Sequence, residues 1–212
     1  MIRKKTLVSP QTLLLLSSVF FLSSVHASTM VSAPFGFTWS QTKGELEALG
    51  IEMTCEIFPD TGINSCTTNS SPKRFSQAEK FYLYLVPGKG LQKVMMIGET
   101  IEGDSTGSEG KSRYGKLKSA LAKKYGEPEN YERTGLKLYD ERDEFYQCLE
   151  YDGCGMYASY WSNDQLLGAI SVQINGLRRG EGWISLTYES KDWGNLLNEI
   201  KSKTAAEDEA LL

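Results

Sequence analysis

Four cysteines, Cys55, Cys66, Cys148 and Cys154, constrain this chain more than any other feature, because two cross-links dictate which segments must lie side by side. Four thiols allow three connectivities, and local pattern separates them. The stretch "IEMTCEIFPDTGINSCTT" consists of two strand-like runs around the turn-forming tetrad Pro59-Asp60-Thr61-Gly62. Pairing Phe58 with Ile63 sets Cys55 directly opposite Cys66, where antiparallel Cα atoms lie roughly 4.5–5.5 Å apart, within disulfide reach. "CLEYDGC" encloses Asp152-Gly153, another turn signal, and reads as a short hairpin closed by Cys148 and Cys154. The favoured pairing is Cys55–Cys66 with Cys148–Cys154. A four-thiolate zinc site or a redox-active pair calls for C-x-x-C spacing, which the chain lacks.

Disulfides need an oxidising compartment. The N-terminus supplies the address. Arg3, Lys4 and Lys5 precede an apolar stretch from Leu13 to Leu22, and Val25 and Ala27 occupy the −3 and −1 positions of a small-residue cleavage site. Residues 1–27 are read as a secretory signal peptide, cut near Ala27 and too short in its apolar run to span a bilayer. His26, the only histidine in the chain, leaves with it. Losing the three basic residues of the leader moves the formal net charge from −4 to about −7. A nucleic-acid partner is not expected of so acidic a chain, and the acidity serves solubility.

Three helices are expected. "TKGELEALG" pairs Thr42 with Glu45 in a capping box and stops at Gly50. "KSRYGKLKSALAKKYGEP" places Tyr114, Leu117, Leu121 and Tyr125 on one stripe before Gly126 and Pro128. The third begins near Lys191, with Ser190 as cap and Trp193, Leu196, Leu197 and Ile200 on one face. Between helices lie strand-like runs: "KFYLYLV" and "LQKVMMIGETI" around Pro87-Gly88-Lys89-Gly90, then "EFYQCLEY", "GMYASYW", "GAISVQI" and "WISLTY". Ile170, Val172 and Ile174, like Ile184, Leu186 and Tyr188, alternate with polar residues, the period of half-buried antiparallel strands. The class is α+β, with antiparallel sheet or sheets and three helices in two similar helix-plus-four-strand halves. Residues 28–101 form the first half, the Gly/Ser-rich 102–110 a linker, 111–203 the second half with the C-terminal helix, and 204–212 an acidic tail. Whether the halves share a sheet stays open at this point.

"FGFTWSQTKGELEALG" and "YGKLKSALAKKYGEPENY" resemble small exported bacterial α+β domains of uncharacterised function. In those, an F-G-x-x-W-[GS] entry leads to a short helix and hairpins, and a Y-x-x-L-x-x-x-L-x-x-K-Y-G-x-P helix precedes more strands. The resemblance implies an α+β fold and bacterial export, and it transfers no active site.

Without histidine, Ser–His and Cys–His catalysis and imidazole ligation are excluded from the mature chain. Ser40-Gln41-Thr42-Lys43 spells S-x-x-K, the string of a serine activated by lysine, but its companion motifs are missing and Thr42 as a helix cap accounts for it. Asp140, Glu141, Asp143 and Glu144 gather in "YDERDEFY", where paired carboxylates could hydrolyse glycosides or bind calcium. Calcium-loop spacing is absent, Arg142 compensates charge, and a solvated turn is the simpler account. Lys111, Arg113, Lys116, Lys118, Lys123 and Lys124 flank the apolar stripe of the second helix and read as its solvated face. The chain holds 11 Tyr, 8 Phe and 4 Trp. Most suit the core. Asn69-Ser70-Ser71 is a glycosylation sequon only in a eukaryotic source.

The expectation is a periplasmic or secreted binding protein without catalytic activity, of the kind exemplified by an immunity-type inhibitor. Its partner would be a protein or small ligand of the cell envelope. The candidate contacts are Tyr157, Tyr160, Trp161, Arg178 and Arg179, with Tyr157 and Trp161 on one strand face and Tyr160 on the other. No cofactor or metal is expected. The competing class is a carboxylate-dependent hydrolase of cell-wall glycan.

Overall fold

The structure, a computed structural model, describes residues 29–136, 138–162 and 166–209; the expected leader lies outside them. Eight antiparallel strands form one sheet: β2 (Thr54–Ile57), β3 (Asn64–Thr68), β4 (Ala78–Val86), β5 (Gly90–Gly98), β6 (Glu129–Arg133), β7 (Met156–Trp161), β9 (Ala169–Arg178) and β10 (Glu181–Glu189). Two short strands, β1 (Thr29–Met30) and β8 (Leu166–Leu167), pair in parallel beside it. Four helices complete the α+β fold among the described residues: α1 (Lys43–Ala48), α2 (Ser108–Tyr125), α3 (Phe145–Glu150) and α4 (Trp193–Glu209). α4 therefore continues into the stretch expected as a tail.

The strand order is β2-β3-β4-β5-β10-β9-β7-β6. Each half lays its four strands from an outer edge inward, and the two last strands meet at a central β5–β10 seam. The halves thus share one sheet. They differ most between their first two strands. β2 and β3 are joined by residues 58–63, whereas residues 134–155 separate β6 from β7 and hold α3.

One face of the sheet carries the core. Register aligns Trp161, Ile170, Tyr188, Val94, Leu83 and Cys66 in a single row across six strands. All are buried, and Tyr114, Leu121 and Tyr125 of α2 join them in the same cluster. The expected stripe of α2 is thus the one that packs, and burying each such side chain stabilises by about 1.5–3 kcal/mol. Thr42 Oγ1 accepts the Glu45 N–H while Glu45 Oε2 accepts the Thr42 N–H, the anticipated capping box. Cys55 lies opposite Cys66 in the β2–β3 ladder, and the two are bonded.

Residues 144–151 correct the sequence reading. Residues 145–150 of that run form α3 instead of a strand, because Phe145, Tyr146 and Cys148 recur at helical spacing and all three are buried on one side. Cys148 is bonded to Cys154 as expected, but the bond ties the end of a helix to the entry of β7 and closes no hairpin. α3 sits so close to the sheet that a Cβ on Gly176 would lie 1.9 Å from the Tyr146 carbonyl oxygen. The fourth strand of the second half is β6, whose "ENYER" has a single apolar residue and occupies an edge. Charged edge strands of this kind resist pairing with other chains.

Candidate functional site

The opposite face of the sheet is mostly open. Among the described residues α4 alone packs on it, at one corner, where Trp193 meets Tyr84 with ring centroids 5.9 Å apart and Lys93 Nζ lies 5.3 Å from the Trp193 centroid. Away from that corner, register aligns Glu129, Tyr160, Ser171, Thr187, Met95, Tyr82, Thr67 and Thr54 in one row across all eight strands. Ile97 and Trp183 flank the row, on the same faces of β5 and β10 as Met95 and Thr187. Tyr82, Met95, Ile97 and Trp183 are all half-buried. They form an apolar centre beside a stripe of short polar side chains, Ser171, Gln173, Asn175 and Ser185.

A groove opens where this face meets the inserted 134–155 segment. Its volume is about 590 Å³, and its floor is Tyr131, Met156 and Tyr160, with Leu136 on one lip. The Tyr131 and Tyr160 rings meet edge-on, 5.7 Å apart at 79°. Leu136 and Met156 are 58% and 40% exposed, large values for aliphatic side chains. Glu129, Arg133 and Asp152 supply charge around this floor. The Tyr131 hydroxyl donates to Glu129, which raises its pKa through that hydrogen bond and the neighbouring negative charge.

The structure disperses the residues singled out from sequence. Trp161 is core: it is 1% exposed and its Nε1 donates to the Gly126 carbonyl at 2.7 Å, so it cannot meet a partner. Tyr157 faces the helices, its ring 5.1 Å from Tyr114 and 5.6 Å from Phe145, and burial raises its pKa. Tyr160 does point to the opposite face and enters the groove. Arg178 and Arg179 lie at the β9–β10 turn, bound to Glu181 and Asp143 respectively. Sequence reasoning missed Trp183, Met95, Ile97 and Tyr82, although large apolar residues on the polar phase of an alternating strand were a readable signal.

The catalytic strings dissolve into structural roles. Lys43 Nζ lies 3.6 Å from Glu47, and Thr42 is occupied with its cap. In "YDERDEFY", the Arg179 guanidinium holds the exposed Asp143 carboxyl below its usual range, and Glu144 accepts the Glu141 N–H at 3.2 Å. Arg113 pairs with Glu109 and Lys118 with Glu132, while Lys111 lies over the Phe145 ring, 4.0 Å from its centroid. Among the described residues no cluster of three or more acidic, histidine or cysteine side chains could hold a metal ion. Nor is any helix among them long and apolar enough to cross a membrane.

Fold and site together define a disulfide-linked α+β protein with one helix-covered and one open sheet face. The chain matches no family model, no curated protein and no solved structure.

Proposed function

We propose that this is an exported binding protein of the cell envelope that holds a protein partner against the open face of its sheet. The observation that carries the reading is the pairing of large half-buried side chains, Tyr82, Met95, Ile97 and Trp183, with a stripe of Ser, Gln and Asn on the part of the face that no described helix covers. Interfaces favour aromatic anchors surrounded by adaptable short polar groups, because rings bury much area at small entropic cost. Two disulfides suit an oxidising compartment, as does the leader read at residues 1–27. An immunity-type inhibitor is the specific form we favour, since such a protein needs a rigid surface and no chemistry of its own.

The glycan-hydrolase reading draws on Glu129 and Asp152, which line one groove. Both are exposed, and Glu129 already accepts the Tyr131 hydroxyl, so neither is a buried carboxyl of the kind that glycoside hydrolysis calls for. The test is affinity capture from the native periplasm with the wild-type protein and a Tyr82→Ala/Trp183→Ala variant. The expected result is one stoichiometric partner that the variant loses while keeping its thermal unfolding midpoint. A partner held equally by the variant, or no partner from a protein that degrades peptidoglycan, overturns the reading.

A further inference from the structure

We propose that the groove beside β6 and β7 recognises a linear peptide segment in which an aliphatic or aromatic side chain is flanked by one acidic and one basic residue. The inference rests on reading the outer face as a binding surface and names what one part of it takes. Its position is the first support. The two halves follow one strand plan, and the second departs from it by inserting residues 134–155 at the place where the groove forms. A long insertion at one end of a regular sheet is where binding residues concentrate, since the scaffold holds it without needing it. Here Tyr146, buried against the sheet, fixes the insertion to that scaffold, and the Cys148–Cys154 bond closes a loop within it.

The lining gives the chemistry. Leu136 and Met156 expose aliphatic surface beside the tyrosine pair, so an apolar side chain entering the groove removes all four from water. Met adapts its shape to varied side chains, which suits a linear motif more than a rigid sugar ring. The edge-on tyrosines also present no shared flat platform for a pyranose. Charge completes the match. Arg133 and Asp152 face the same groove with opposite signs, and neither has an ion-pair partner among the described residues. Each is available to a residue of opposite charge beside the seated side chain.

Random peptides displayed on phage are selected against the immobilised full-length exported protein with both disulfides formed. Enriched sequences are then synthesised and titrated by fluorescence anisotropy. The expected motif is an apolar residue between an acid and a base, and Tyr131→Ala/Tyr160→Ala weakens its binding about tenfold or more. Arg133→Glu exchanges the preferred acidic flank for a basic one, a change that damage to the fold cannot produce. Should the double alanine variant unfold, the charge reversal alone decides. No enrichment, or peptides indifferent to Arg133→Glu, overturns the proposal. Peptides lost on Trp183→Ala but not on Tyr160→Ala also overturn it, while leaving the open face as the binding surface.

Discussion

The Tyr146 hydroxyl donates to Asp104 Oδ2 at 3.0 Å, and the same oxygen accepts the backbone N–H groups of Glu109 and Gly110 at the start of α2. One carboxylate oxygen therefore ties α3 to α2 and satisfies two of the donors that a helix leaves unpaired. Asp104→Ala is expected to lower stability by about 2 kcal/mol, and Tyr146→Phe by about 1 kcal/mol. Because they share one oxygen, the double variant should lose less than the sum. Urea unfolding of the three variants measures all of this; strict additivity contradicts the shared role.

Gly176 admits α3 to the sheet. A methyl group there would meet the Tyr146 carbonyl oxygen at 1.9 Å and the Glu150 nitrogen at 2.6 Å, both backbone atoms that cannot swing aside. Gly176→Ala should therefore destabilise by about 1–3 kcal/mol or more and weaken the near-ultraviolet circular dichroism of the tyrosines around α3. Gly115→Ala, whose Cβ would meet no heavy atom within 4 Å, serves as the control and should stabilise α2 slightly.

Each disulfide closes a short loop, with sequence separations of 11 and 6 residues. Replacing either pair with serine should cost about 2–3 kcal/mol by the chain-entropy account. The two losses should differ in kind. Cys148 and Cys154 close the loop that carries Asp152 and Gly153 to the groove, so their loss should also loosen the groove and weaken peptide binding there. Loss of Cys55–Cys66 should leave that binding unchanged. Equal effects on binding would contradict this division.

Tyr114, Tyr146 and Tyr188 have pKa values pushed well up, in each case chiefly by burial. A phenol that resists ionisation in the fold but ionises freely once unfolded stabilises the native state fully below the ordinary value of about 10, and this contribution fades as pH rises beyond it. Alkaline conditions should therefore unfold the protein cooperatively above pH ~10. In a titration followed at 295 nm, these three hydroxyls should ionise only together with unfolding. Smooth ionisation ahead of any loss of ellipticity would contradict their placement.

The first half of the fold is legible in sequence because every signal there is local. Pro59-Asp60-Thr61-Gly62 and Pro87-Gly88-Lys89-Gly90 mark turns, Thr42 and Glu45 mark a helix start, and alternation marks β4 and β5. The second half misleads at residues 144–151, where aromatic and β-favouring side chains suggest a strand. The deciding contacts come from Gly176 and Gly182, some 30 residues away along the chain, whose missing side chains make room for Tyr146. β6 escapes notice because an edge strand buries little and needs little apolar patterning. The site was half visible: Tyr160 sits on the outward phase as read, but Trp161 beside it fills the core. Arg178 and Arg179 look available in sequence because their partners, Glu181 and Asp143, are revealed only by folding.

The seam between the last strands of the two halves carries a kinetic consequence. Within each half, neighbouring strands follow one another along the chain, so their ladders can zip up from contacts close in sequence. Within the eight-stranded sheet, the seam is the ladder that joins the most distant segments, as in Val94 opposite Tyr188. Loop closure over such a separation is the slow, entropically costly event in assembling a sheet. Assembly should thus begin as two independent meanders and end with their docking edge to edge.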